Sequence, residues 1–175
     1  FIGQGSYIHT KAVLAQILLE TSWSKTLNGQ KKVKPWPWAD TWPVARLSAP
    51  DYGISHIVLA GASGSSLAFG PGHLFGSAGP GEDGNIIISG HRDTHFNFLK
   101  YLKIGDFLNL QSHIKTESYR VTDILVIDKA TIDVVPTDIN NKLLLITCYP
   151  FNAVQAGGPL RYVIIAEPDH KHIFI

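Results

Sequence analysis

Hydrophobic residues recur four apart near the start of the chain. Val13 and Ile17 fall on one line and Leu14 and Leu18 on the line beside it, the spacing of an apolar helix face. This predicts a helix over residues 7–24, with Thr10 as its N-cap and Asn28-Gly29 as its stop signal. Residues 28–43 break the pattern. Lys31-Lys32-Val33-Lys34 is polar, and prolines at 35, 37 and 43 forbid both helix and central strand. Trp36, Trp38 and Trp42 are costly to leave in water, so this strip is expected to pack the N-terminal helix onto the rest of the chain. A lid near a groove and a seat at a membrane interface are its other two readings. From Val44 onward the period shortens to that of strands. They are expected at residues 44–48, 56–60, 85–89, 107–112, 119–128, 143–148 and 160–167, with a helical turn or two over 94–102. Short strands with Gly/Pro punctuation predict an all-β antiparallel barrel or sandwich. Two units follow: residues 1–43, a helix with its Trp/Pro-rich linker, and residues 44–175, the β domain.

Composition sharpens this picture. The chain has 175 residues, enough for one domain with its own core and no need of a metal or disulfide to fold. Hydrophobic residues make up 45% and charged residues 17%, which excludes a disordered chain. The 16 glycines and 10 prolines favour turns and strands over a helical bundle. A net charge of +1 argues against a nucleic-acid partner, and the run at Lys31–Lys34 reads as a solvated linker. A single cysteine, Cys148, excludes a disulfide scaffold. The chain lacks Met and begins at Phe1, so it is expected to be a processed form or a fragment, and an anchor before Phe1 is compatible with that.

Several motif lookalikes fall away on context. Gly79-Pro80-Gly81-Glu82-Asp83-Gly84 matches the dinucleotide fingerprint but precedes a strand, so the helix N-terminus for a pyrophosphate is missing. Gly61-Ala62-Ser63-Gly64-Ser65 lacks the second glycine of a nucleophile elbow, and no helix is expected after it. His91 and His95 are four apart but have neither the Glu of the zinc-protease motif nor an evident third ligand.

What remains is a constellation. Cys148 ends the apolar run Leu143-Leu144-Leu145-Ile146-Thr147, just before Tyr149-Pro150 stops the strand. A thiol there is held by packing yet open to a ligand, whereas an inert core cysteine belongs mid-strand. His91 follows the buried run Ile86-Ile87-Ile88-Ser89-Gly90, and Arg161 opens Arg161-Tyr162-Val163-Ile164-Ile165. Taken singly, His91 also reads as a structural histidine and Arg161 as a snorkelling or salt-bridged edge residue. Together they suit acyl transfer, with a thiolate nucleophile, an imidazole acid–base and a guanidinium for the oxyanion. No orienting carboxylate is evident beyond Asp93, two residues from His91 on the same loop.

Gly90-His91-Arg92-Asp93-Thr94-His95-Phe96, Leu145-Ile146-Thr147-Cys148-Tyr149-Pro150-Phe151 and Leu160-Arg161-Tyr162, in that order, resemble the sortase family of cysteine transpeptidases. Gly70-Pro71-Gly72-His73 and Gly79–Asn85 extend the resemblance, which covers residues 43–167. Pro35-Trp36 through Trp42-Pro43 looks like the Gram-negative, marine proteobacterial class. The resemblance implies a closed β-barrel of about eight strands and a catalytic trio of His91, Cys148 and Arg161. It implies that Thr147 helps shape the oxyanion site, and that His73 and Phe151 are groove or packing residues. The implied substrate is a protein with a C-terminal sorting signal like Leu-Pro-x-Thr-Gly. It is cleaved after Thr through a thioacyl-enzyme and passed to an amine acceptor, in the bacterial cell envelope from an inner-membrane anchor. Some members bind calcium, but no acidic cluster supports that here, so neither cofactor nor metal is expected. The polar loop 131–142, with Asp133, Thr137, Asp138, Asn140 and Asn141, is a candidate substrate selector. A cysteine hydrolase at the same site and a non-catalytic β-barrel binding module are the competing readings.

Overall fold

The computed structural model describes residues 2–134 and 140–170 of the chain. Helix α1 (Ile2–Leu27) is followed by β1 (Pro43–Ala49), β2 (Ile54–Ala60), a one-turn α2 (Gly64–Leu67), β3 (Gly72–His73) and β4 (Ile86–Ser89). Then come β5 (Phe107–Gln111), β6 (Thr116–Asp128), β7 (Leu143–Cys148) and β8 (Leu160–Pro168). The strands close into a barrel in the order β1-β2-β3-β4-β7-β8-β6-β5. Most neighbours are antiparallel, as the short-strand pattern implies, but β2–β3 and β4–β7 run parallel.

Alternation along the strands fills the barrel. In β1, Ala45, Leu47 and Ala49 point inward, where they meet Val58, Leu108, Leu110, Leu143, Leu145 and Ile164. The second half of strand β2, from Ile57 to Ala60, is buried on both faces. Val58 enters the barrel, while Ile57 and Leu59 meet Leu19 and Trp23 of α1. The Arg46 guanidinium, projecting from β1, pairs with the Glu20 carboxylate of the helix.

The helix differs from its expected form in three ways. It begins before residue 7, so Thr10 lies inside it rather than capping it. Gly3 and Gly5 weaken its first turns without ending it. Its buried stripe is Ala15, Leu19 and Trp23, while Val13, Leu14 and Ile17 face outward. The end is as expected. Gly29 takes the left-handed position at φ 91°, and the Gln30 N–H returns to the Lys25 carbonyl at 3.1 Å.

The tryptophan strip is split. Trp36 packs beside the helix contact and meets Phe69 edge-on at 4.8 Å. Lys32 lies over the Trp42 ring, and Trp38 is 83% exposed. The expected turn over 94–102 is a 3-10 helix at Asn97–Tyr101. Contrary to expectation, a helix does follow Ser63, although of one turn only. The Ser63 hydroxyl caps it by accepting from the Ser66 N–H. Of the loop proposed as a selector, residues 135–139 lie outside the described residues. Asn141 is held in place, its side-chain oxygen accepting from the Gly84 N–H at 2.6 Å.

Candidate functional site

Strand β7 is the floor of the site, and its two neighbours bring in the other groups. In the antiparallel pairing with β8, Cys148 lies directly opposite Arg161. Directly paired positions have Cβ atoms roughly 5 Å apart on the same face. On the other side, β4 runs parallel to β7 with Ser89 beside Ile146, and the Gly90 N–H donates to the Ile146 carbonyl at 3.1 Å. His91 follows Gly90, two residues beyond the end of β4, at the end of the barrel where β7 reaches Cys148. The thiol strand therefore has Arg161 paired with its last residue on one side and the backbone that leads into His91 on the other.

Local chemistry fixes this junction. Gly90 is buried, and a Cβ there would lie 2.7 Å from the Phe96 ring, so no side chain fits. The Thr147 hydroxyl donates to the Gly90 carbonyl at 2.7 Å, tying the ends of β7 and β4 together. Thr147 is 1% exposed and, as the strand neighbour of Cys148, faces the opposite side of the sheet. Its side chain thus holds the end of β7 to the backbone that follows β4. Cys148 itself is half-buried, and His91 is exposed. The Arg161 Nη1 donates to the Gly158 carbonyl at 2.7 Å and the Leu160 carbonyl at 2.8 Å. That leaves Nε and Nη2 as the donors able to meet a charge developing beside the sulfur.

Below the thiol, on the same face, Ile146 and Leu144 of β7 join Val163 and Ile165 of β8 in one apolar cluster flanked by Ile87 and Ile127. The four central residues are buried. A cavity of about 550 Å³ lies away from this strip, between α1 and the tryptophan strip, lined by Leu14, Leu18, Trp36, Trp38 and Phe69.

His73 is buried, its Nε2 within 2.8 Å of the Ala78 carbonyl and 3.0 Å of the Ser77 hydroxyl, which makes it a packing residue. Phe151 is likewise packed, edge-on to Tyr162 at 5.0 Å, with Tyr149 stacked on Tyr162. Asp93 turns to Arg92, its carboxylate 3.6 Å from Nε and largely exposed. Sequence reasoning overlooked Arg92, which is 5% exposed and donates to the Ala153 and Gln155 carbonyls in the β7–β8 loop. A loop arginine reads as surface charge, and backbone carbonyl partners leave no mark in the sequence.

Nor was the pair behind His91 foreseen. The His95 and His56 rings meet edge-on at 5.2 Å. Burial, and secondarily the charge of His91, holds His95 below the usual histidine range. Burial, and next His95, pushes His56 down to about 4, against the opposing effect of a hydrogen bond to the His95 backbone. Among the described residues no group of three or more His, Cys, Asp or Glu is placed to hold a metal ion. The depressed His56 value sets a pH dependence. Below pH 6.5 the unfolded chain takes up a proton that the folded chain refuses until about pH 4, so stability present above pH 6.5 is lost across that window. Discounted for partial exposure, the loss is of the order of 1–2 kcal/mol. Urea unfolding at pH 7 and pH 4 should show His56→Leu losing that much less than the parent protein. Equal losses would remove His56 from this role.

A family model described as a sortase domain matches residues 47–169. Sortase D of Bacillus subtilis strain 168 is 33% identical over 122 residues, covering 69% of this chain and 61% of that protein. The chain thus spans less than two thirds of that relative's length. Among solved structures, sortase C-1 from Actinomyces oris superposes with a TM-score of 0.65 at 29% identity, over 73% of this chain and 74% of that one. A Clostridium perfringens sortase D5 transpeptidase gives 0.70 at 22% identity, over 90% and 99%, which speaks to the fold.

Proposed function

The chain belongs to the sortase family of cysteine transpeptidases, and we propose that it cleaves a C-terminal sorting signal like Leu-Pro-x-Thr-Gly and passes the acyl group to an amine. The observation that carries this reading is the register that pairs Cys148 with Arg161 on β8 and runs β4, which leads into His91, alongside the thiol strand. The Cys148 thiolate attacks the carbonyl carbon of the signal's Thr, forming a C–S bond. Arg161 and a backbone N–H hold the oxyanion of the tetrahedral intermediate. As that intermediate collapses, the C–N bond breaks and the His91 imidazolium gives its proton to the leaving Gly amine. The incoming amine then attacks the thioester, His91 takes its proton, and the thiolate leaves. The apolar strip under the thiol keeps water from one side of the thioester, which favours an amine acceptor over hydrolysis.

In this reading residues 44–175 are the catalytic unit and residues 1–43 its outer cover. The strip from Pro35-Trp36 to Trp42-Pro43 supports the narrower Gram-negative, marine proteobacterial class. The family is associated with the cell envelope. The proposed location is an inner-membrane anchor with the barrel facing outward, although among the described residues no helix is long and apolar enough to cross a membrane.

The test is a panel of sorting-signal peptides with several amine acceptors at millimolar concentration, read by mass spectrometry. A ligated product that depends on the amine is expected. Hydrolysed peptide alone, with every acceptor present, would replace the transferase with a cysteine hydrolase. No reaction, with a thiol that resists labelling, would favour a binding module.

A further inference from the structure

Resting on the reading above, we propose that Arg92 is a positioning residue that latches the β7–β8 loop and so sets the place of Arg161 beside Cys148. Residues 149–159 connect the thiol strand directly to the guanidinium strand. Arg92 follows His91 and is almost wholly buried, although it carries a fixed charge. A buried charge is costly unless its donors are met. Its Nη2 donates to the Ala153 carbonyl at 2.9 Å and the Gln155 carbonyl at 2.8 Å, on either side of the middle of that loop. The far end of the same loop receives Arg161, whose Nη1 donates to the Gly158 carbonyl and to the Leu160 carbonyl at the start of β8. One eleven-residue connection is thus gripped by two guanidiniums, one from the His91 segment and one from the residue opposite the thiol. At the near end the Tyr149 N–H donates to the Leu160 carbonyl at 3.1 Å, continuing the β7–β8 ladder past Cys148.

The carbonyls that hold the Arg161 head are therefore fixed from two directions, by the ladder and by Arg92. Without Arg92 the loop keeps the ladder end only, and the Gly158 carbonyl loses its reference to the His91 segment. Arg92 touches neither the thiol nor the proposed scissile bond. Its effect on chemistry passes through Arg161 and the loop.

Two measurements test this on the whole chain. Amide exchange over residues 149–159 needs no substrate, and kcat and KM with a sorting-signal peptide and an amine report the chemistry. Arg92→Gln should speed exchange in that loop by about tenfold while the barrel strands stay protected. It should lower kcat by roughly 10–100-fold, the scale of a misplaced catalytic group, with KM within about threefold. Arg92→Lys retains a cation that reaches one carbonyl and should fall between the two. It also serves if the Gln variant does not fold. Gln155→Ala leaves the backbone acceptor in place and should match the parent protein in both readouts. Unchanged exchange would overturn the latch. Faster exchange with unchanged kcat would overturn the positioning role and leave Arg92 purely structural. A parent protein that forms no thioacyl species would sink the transpeptidase reading itself, while the exchange result would still decide the latch.

Discussion

Cys148→Ala should abolish acyl-enzyme formation with a sorting-signal peptide and lower turnover by something on the order of 10⁶-fold, the scale of removing a nucleophile. The expectation is sharp because the chain holds no other cysteine, so any thioester adduct in the parent protein must lie at this position. Cys148 is half-buried at the open end of β7, where the change removes one sulfur and leaves the strand pairing intact. The variant should therefore fold, and its circular dichroism should match the parent. Intact-protein mass spectrometry after incubation with peptide is the measurement. Retention of full turnover, or an adduct of unchanged mass in the variant, would remove the thiol from the mechanism.

The parts of this fold that were legible in the sequence share one property: both faces or one clean face of a strand are apolar. Strand β7 matches its expected bounds because Leu143-Leu144-Leu145-Ile146 is apolar on both sides and Tyr149-Pro150 stops it. Strand β3 was not legible, since Gly72-His73 has no alternation and exists only through its partners on β2 and β4. The parallel pairings are equally silent, because strand direction is set by connections and not by side-chain pattern. Helix α1 misled for a different reason. It carries apolar residues around much of its circumference, and only the position of Ile57 and Leu59 on the barrel decides that Leu19 and Trp23 are buried and Val13 and Ile17 are not.

The candidate site divides along the same line. Cys148, His91 and Arg161 each stand at the end of an apolar run, and strand ends meet at the rim of a closed barrel, so the sequence pointed to all three. The orientation of Thr147 follows from the period of two once its strand is known. Arg92 and the His56–His95 contact depend on how a loop folds back across the barrel end, which no local pattern encodes.

Arg161→Ala should lower kcat by roughly 10²–10³-fold, the cost of losing one oxyanion donor, with little change in KM. The split between the two constants follows from when the interaction is made. The carbonyl oxygen of the bound peptide carries little charge, and the full attraction to the guanidinium arises only as the tetrahedral oxyanion forms. Placement supports a large effect. Arg161 pairs directly with Cys148 across the β7–β8 ladder, and the Gly158 and Leu160 carbonyls restrain its Nη1, so the head is ordered before substrate arrives. Arg161→Lys should recover little, since an ammonium keeps the charge but cannot hold two carbonyls with one nitrogen and offer further donors from the same rigid plane. Steady-state kinetics of the amine-dependent ligation would give both constants. A loss below about threefold in the alanine variant, against the decade-scale cost of an oxyanion donor, would take Arg161 out of the oxyanion role and leave it as a clasp on its own loop.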